Sequence, residues 1–501
     1  MSASHTHLAI DIGAESGRVM AGLWDGRRIR LQEIHRFANS AVSVGTSLRW
    51  DLLHLWKEVR DGLALAGSGA TLQTEVRSVG VDTWGVDYVL QDSHEEWLGL
   101  PYSYRDIRTQ GLVEELCSLL PRQEIFSESG LQFLEINTLC QLLAAQRNHP
   151  HLLAQARRLL MIPDWLHWAL SGAAVVEFSN ATTTQFLHPK TKSWSTGLLD
   201  KLGIPSHFLP ELVSPGTDLG TLRPSVAADS GLAKTRVIAP GTHDTASAVV
   251  GVPAAPLGYG RWAYISSGTW SLVGVEISAA NLSDAALQHN FTNEGGVDGT
   301  YRLLKNVVGM WLLQQLKRAF DAAGGKRTYA DLVELAAQAT PLRSLINPDA
   351  AEFLRPTNMV AAIQEYCRRS GQPIPDTEGA LVRCALESLA VKYREIIKSL
   401  EMITGESIEV IHIVGGGSRN ALLNQFTADV CQRPVVAGPV EATALGNVLC
   451  QARALGELHS LAEIRSVIRE SFSHEVRDFQ PNADSLAEWE DATARLRLPW
   501  A

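Results

Sequence analysis

The sequence predicts an α/β protein of two domains, and three observations predict it. Apolar runs of strand length alternate with longer stretches of helical spacing, and several strands come before the first helix, as in a mixed sheet. The chain has 501 residues, too many for a single core. The strand–turn–strand pattern of residues 8–24 returns at 262–276, as two copies of one fold would show it. The expected division is 1–250, a linker at 251–260 (GVPAAPLGYG), a second domain at 261–455, and a tail at 456–501 that packs on the domains.

The elements follow in chain order. Residues 8–10 and 19–23 read as strands around a Gly/Ser turn, and 29–37 as a third after the tight-turn pair Asp25–Gly26. Leu52, Leu55, Val59 and Leu63 have helical spacing, with Asp51 as N-cap. Residues 76–81 form a strand ending at Asp82, and 88–90 another. Residues 101–108 are an aromatic, polar loop, and 109–174 are mostly helical, including 139–147 and 164–170. The hydroxyl-rich stretch 179–184 reads as a surface turn, with a sugar-lining loop as the alternative; 205–224 is irregular. Residues 237–239 form a strand running into Gly241–Thr242–His243–Asp244 and a small-residue helix. In the second half, 303–319 reads as a helix and 379–400 as a long one with an apolar stripe. The strand 410–414 runs into three glycines and a helix from Ala421.

Composition narrows the function. Hydrophobic residues make up 45% and charged residues 20%, as in a globular protein, and the net charge of −10 argues against nucleic acid or an anionic membrane as partner. The six cysteines show no C-x-x-C and no metal-ligand spacing, so reduced thiols are expected. The start lacks a signal-peptide pattern, and no apolar run is long enough for a bilayer, so a cytoplasmic protein is expected. Without a coiled coil or exposed apolar stripe, a monomer is expected. A P-loop, a dinucleotide fingerprint, a nucleophile elbow and H-E-x-x-H are all absent.

What remains suits ATP. Gly13 and Gly17 let consecutive N–H groups turn toward one anion, Ser16 adds a hydroxyl, and Asp11 at the strand end is placed to hold a hydrated Mg²⁺. A plain glycine-turn hairpin gives the same pattern. Residues 241–247 repeat the phosphate-cradle chemistry, 267–269 reach phosphates from the other half, and the three glycines at 415–417 leave bare backbone for a flat ligand. Asp244 can serve as base for an attacking hydroxyl or as a helix N-cap; His243 is structural or catalytic.

The motifs DIGAESGRVM (11–20), VDTWGVDYVL (81–90), YRDIRT (104–109), NATTTQ (180–185), HDTASAV (243–249), YISSGTWSLVG (264–274), TNEGG (292–296), LLKNVVGMWLLQ (303–314) and IVGGGSRNALLNQ (413–425) carry a resemblance that spans nearly the whole chain. The chain resembles the FGGY carbohydrate kinases of the actin–hexokinase–chaperone superfamily. DTWGVDY and NEGG mark the branch acting on L-rhamnulose.

The resemblance implies a two-domain actin/hexokinase-like (ribonuclease H-like) fold with an interdomain catalytic cleft that closes about the linker. It implies Mg²⁺ as cofactor, and ATP and a sugar as small-molecule partners. The reaction implied is transfer of the γ-phosphoryl group to the 1-hydroxyl of L-rhamnulose in L-rhamnose catabolism, with L-fuculose or L-xylulose as alternative substrates. Ala14, Glu15, Ser16, Gly17, Arg18, Thr269, Gln314 and Gly416 then bind ATP. Gly85, His243, Asp244, Thr245 and Asn306 bind the sugar, with Asp244 as proton acceptor and Asp11 at the metal. Sugar, phosphate and base fall in the first domain and the nucleotide in the second.

Two departures stand out. Thr427 and Cys431 replace a close cysteine pair found in some members, and Glu15 stands where a small hydroxyl residue also occurs. A nucleotide switch of the actin or chaperone kind is the rival from another class; it is disfavoured by Asp244 and by the lack of a peptide-binding domain. A sugar-sensing repressor is disfavoured by a first strand that begins at Leu8, which leaves no room for a helix-turn-helix.

Overall fold

The computed structural model describes residues 5–254 and 261–496, so part of the expected linker (255–260) and the end of the tail (497–501) lie outside the described residues. The chain divides into two compact units, one of residues 1–251, 276–303 and 442–473, the other of 252–275, 304–441 and 474–501.

In the first unit a mixed sheet is built from β1 (His5–Ile12), β2 (Ser16–Trp24), β3 (Ile29–Ala38), β4 (Glu75–Thr83), β5 (Thr217–Thr221) and β6 (Arg236–Ala239), in the order β5-β6-β4-β1-β2-β3. β1 and β2 form an antiparallel hairpin in which Asp11 faces Arg18, and β1 lies parallel to β4 with Asp11 opposite Asp82. That register brings two acids to adjacent strand ends. β1 is buried along its whole length, which explains why its apolar run does not alternate.

Helix Leu52–Gly67 buries Leu52, Leu55, Val59 and Leu63, and the Asp51 side chain caps it by accepting from the His54 amide. Helices Asp244–Val250 and Ala442–Ala454 pack together through two glycines. A Cβ on Gly446 would lie 1.8 Å from the Ser247 carbonyl oxygen, and one on Gly251 would lie 2.1 Å from that of Ala442.

In the second unit β7 (Arg261–Ser267), β8 (Trp270–Ile277), β9 (Tyr301–Val308), β10 (Ile408–Val414), β11 (Val435–Ala437) and β12 (Arg477–Phe479) are ordered β9-β8-β7-β10-β11-β12. β7 and β8 form the second antiparallel hairpin, and β7 lies parallel to β10, so the pattern of β1, β2 and β4 recurs. Helix Glu378–Thr404 is the long one, ended by Gly405 in the left-handed region.

Two expectations are corrected. Residues 303–319 are not one helix: β9 ends at Val308, and the helix runs Trp311–Ala322. The hydroxyl-rich stretch 179–184 is no surface turn but is helical and buried, in Phe178–Ala181 and Thr182–Thr184.

Candidate active site

The β1–β2 turn is tied down by backbone groups. The Gly13 amide donates to the Ser16 carbonyl at 2.9 Å, and the Asn39 side-chain amide donates to the Gly13 carbonyl at 2.8 Å. Ala14 and Glu15 occupy the turn, while Ser16 and Gly17 already belong to β2. A Cβ on Gly17 would lie 2.3 Å from the Phe37 ring, so packing requires glycine there. Arg18 turns its guanidinium to Asp11, Nη2 donating to Oδ2 at 2.6 Å.

Three carboxylates gather beside this turn. Asp82 is fully buried; its Oδ2 accepts from the Asn447 amide at 2.5 Å, and its Oδ1 has no hydrogen-bond partner. Burial first, then the charge of Asp11 and that of Asp244, push the Asp82 carboxyl well above the usual carboxylate range. Asp244 is raised too, by burial and then by Asp11, against the lowering influence of His243 and Thr245. Its side chain keeps 32% exposure, open enough for a ligand to reach. A buried carboxylate oxygen lacking a donor, in a cluster of like charges, fits a hard divalent cation.

The loop before Asp244 is held by a buried acid. Glu177 Oε2 accepts from the Thr242 amide at 2.9 Å and from its hydroxyl at 2.7 Å, while Oε1 accepts from the Ser179 amide. The Ser179 hydroxyl in turn accepts from the His243 amide at 3.2 Å. The hydroxyl-rich stretch therefore braces the loop from below. His243 is the N-cap residue, so Asp244 is the first residue of its helix rather than the cap. The His243 ring lies between Arg302 and Asp244: Arg302 Nη2 is 3.1 Å from Nδ1, and Nε2 is 3.5 Å from Asp244 Oδ1. Glu294 Oε2 stands 3.2 Å from the same Nδ1. The Thr245 hydroxyl donates to Asp244 Oδ1 at 3.0 Å.

Gly85 lies where a side chain would strike Thr183, 2.8 Å from its Cγ2. Two residues on, Asp87 is buried and accepts from the indoles of Trp50 and Trp84, the Tyr104 amide and the Gln141 side chain. Burial pushes its carboxyl up to about 6 in spite of these four donors.

In the second unit Gln314 Nε2 donates to Thr269 Oγ1 at 3.3 Å, which joins the first turn of helix Trp311–Ala322 to the β7–β8 turn. Gly415 adopts φ +84°, and its Cβ would lie 3.0 Å from the Ser267 carbonyl oxygen. Gly416 differs, because a Cβ there would meet nothing within 4 Å. Protein packing gives no reason for that glycine, whereas a ligand lying on bare backbone does. Asn306 sits on β9 beside Lys305, whose amine is held down to about 8 by burial and then by Lys392.

The first unit thus brings together Asp11, Arg18, His243, Asp244 and Thr245, and the second brings together Thr269 and Gln314. Sequence reasoning passed over Asp82, Asp87, Glu177 and the Arg302–Glu294 pair. The acids inside DTWGVDY were a usable signal for the first two. Nothing local points from Arg302 to His243.

Residues 6–251 match the N-terminal domain, and residues 263–455 the C-terminal domain, of the FGGY family of carbohydrate kinases. The rhamnulokinase of Pectobacterium carotovorum subsp. carotovorum strain PC1 is 45% identical over 480 residues, covering 95% of this chain and 93% of that one. The rhamnulokinase of Bacteroides thetaiotaomicron strain VPI-5482 is 42% identical over 484 residues, covering 97% of each. A ligand-bound xylulose kinase from Lactobacillus acidophilus shares the fold, with a TM-score of 0.80 at 16% identity over 98% of this chain and 96% of that one. The chain belongs to the FGGY family of carbohydrate kinases.

Proposed function

We propose that this kinase transfers the γ-phosphoryl group of ATP to the 1-hydroxyl of L-rhamnulose, giving L-rhamnulose 1-phosphate and ADP. The observation that carries the reading is Asp244, a partly exposed carboxylate at the first residue of a helix, in electrostatic contact with Asp11 at the end of β1. The choice of ketose rests on the relatives named rhamnulokinase.

In this reading the sugar oxygen attacks the γ-phosphorus and its proton passes to the Asp244 carboxylate. The bond from phosphorus to the bridging oxygen breaks, and ADP keeps that electron pair. The transition state is loose, so the protein mostly positions groups and screens charge. Its raised carboxyl makes Asp244 a stronger base than an ordinary aspartate. Ala14, Glu15, Ser16, Gly17 and Arg18 bind ATP phosphate; Thr269, Gln314 and Gly416 bind ATP from the nucleotide domain. Gly85, His243, Thr245 and Asn306 hold the sugar, with the His243 ring braced by Arg302. Asp11 and Asp82 would hold Mg²⁺, which when bound neutralises phosphate charge. The base, the phosphate turn and the sugar contacts Gly85, His243 and Thr245 then fall in 1–250, while Asn306 joins the nucleotide contacts in 261–455.

The test is ADP release with Mg²⁺ and ATP against L-rhamnulose, L-fuculose, L-xylulose, D-ribulose, glycerol and no sugar. A strong rate with L-rhamnulose alone is expected. Preference for another ketose overturns the substrate and keeps the mechanism. ADP release that no sugar stimulates overturns the kinase reading in favour of a nucleotide switch.

A further inference from the structure

We propose that His5, His7 and Glu457 form a binding site for one divalent transition-metal ion of the zinc class, separate from the catalytic carboxylates. His5 and His7 alternate along β1 and so share a face of the sheet. Glu457 follows helix Ala442–Ala454. His5 Nε2 is 2.8 Å from Glu457 Oε1, and His7 Nε2 is 3.0 Å from Oε2. Among the described residues, this is the group of histidine and acid donors whose ligand atoms all lie within 4.8 Å of one another.

A chain of hydrogen bonds with fixed direction assigns the protons. Asn447 Nδ2 donates to the Gly80 carbonyl at 3.2 Å, and Gln451 Nε2 donates to the Leu8 carbonyl at 2.9 Å. Carbonyls only accept, so both side-chain amides are oriented. Gln451 Oε1 then faces the Ser78 hydroxyl at 2.6 Å and takes its one proton. The Ser78 oxygen, 2.7 Å from His7 Nδ1, can therefore only accept from it.

A neutral His7 so arranged carries its proton on Nδ1 and a lone pair on Nε2. That lone pair points at a carboxylate oxygen 3.0 Å away, with no space for a bridging water. Two acceptors face each other, and a positive charge must lie between them. Either a proton lies there, on His7 or on Glu457, or a metal ion does. The His7 side chain has no exposed surface, and His5 Nε2 stands 2.8 Å from the other oxygen of the same carboxylate, so a third donor is already in place for an ion.

Both oxygens of Glu457 are engaged, Oε1 by His5 and Arg77 and Oε2 by His7. Arg77 Nη1 bonds Oε1 at 2.9 Å from a side chain that is 46% exposed, and it leaves Oε2 to the histidine. Around a tetrahedral zinc the donors stand about 3.3 Å apart, so the two histidine–carboxylate contacts need to open by only a few tenths of an ångström. Two imidazoles and one carboxylate select a borderline cation over Mg²⁺, with water completing the shell. Ser78 is the outer partner that such a histidine requires. The same relay ends at Asn447 on Asp82 Oδ2, so it links this histidine to the catalytic cluster.

The experiment uses the untagged, full-length protein, stripped of metal and held in excess Mg²⁺. Co²⁺ is titrated with visible absorption as readout, and Zn²⁺ by calorimetry. One four-coordinate Co²⁺ site displaced by Zn²⁺ is expected, kept in Asp244→Asn and weakened by about tenfold or more in His5→Gln and in Glu457→Gln. Absence of the Co²⁺ bands from the wild-type protein overturns the proposal without any variant. So does equal Zn²⁺ affinity in His5→Gln and Glu457→Gln, or bands that vanish in Asp244→Asn and persist in His5→Gln.

Discussion

Asp244 and Asp87 are both acids raised by burial, yet chemistry separates them. Asp244 is partly exposed and, among the described residues, accepts a hydrogen bond from the Thr245 hydroxyl alone, so its carboxylate is available to accept a proton. Asp244→Asn should lower turnover by about 10²–10⁴ while ATP affinity stays within a few-fold, read by ADP release and by nucleotide calorimetry. Retained turnover would remove Asp244 as the base. Because the base must be ionised, kcat/KM should fall toward acid with its midpoint above the ordinary aspartate value. Asp87 has no such freedom, since two indoles, an amide and Gln141 enclose it. Its native value of about 6 exceeds the ordinary 3.8, so the folded state binds this proton first as pH falls. The group's contribution is therefore fully present below about pH 4 and is lost as pH rises through about 6, roughly 3 kcal/mol across the window. The urea midpoint of the wild-type protein should accordingly fall relative to that of Asp87→Asn between pH 4 and 6. A difference independent of pH would mean that Asp87 does not titrate there.

Glycines in this chain serve two separate ends, and substitution separates them. At Gly446 a Cβ would lie 1.8 Å from a backbone oxygen in the helix that begins with Asp244. Gly446→Ala must push the two helices apart, so a loss of about 1–3 kcal/mol and a lower kcat are expected. At Gly416 nothing lies within 4 Å. Gly416→Ala should leave the thermal midpoint unchanged and raise the KM for ATP. An unchanged KM would show that no ligand lies on that backbone. The same distinction explains what the sequence could reveal. The hairpins, the Asp51-capped helix and the long helix Glu378–Thr404 are set by local signals: apolar runs, a cap and a 3.6-residue period. Residues 303–308 misled because Leu303, Leu304, Val307 and Val308 also fit helical spacing; hydrogen bonding into the sheet decides for strand. Residues 179–184 misled because hydroxyls usually mean solvent, while here distant donors and acceptors, Val86 and Gly295 among them, satisfy them in the interior. Asp11 and Asp244 were legible as acids at an element's end. Their meeting with Asp82 depends on β1–β4 register, and the Arg302 contact to His243 joins residues far apart in sequence.

At the scale of the whole molecule, the chain does not fall into a front half and a back half. The unit that carries Asp244 takes residues 276–303 and 442–473 from beyond position 251. Its core shows why. Ala9, Met20 and Trp24 of the first sheet share one cluster with Leu445, Val448, Leu449, Ile464 and Ile468. Those last five side chains are completely buried. At about 2 kcal/mol each they contribute about 10 kcal/mol, as much as a typical domain's entire stability. Asn447 and Gln451 of the same segment also supply the donors that hold Asp82 and the Leu8 carbonyl. A fragment ending at residue 251 should therefore expose an apolar sheet face, bind a hydrophobic dye and melt without a cooperative transition. The full chain should melt cooperatively and bind little dye. Supplying residues 442–473 through a flexible linker should restore some cooperativity to the fragment, because the missing helices then return at high effective concentration. A cooperative, dye-free melt for residues 1–251 alone would mean that the first sheet closes its core without these helices. Their packing would then serve the active site rather than the stability of the unit.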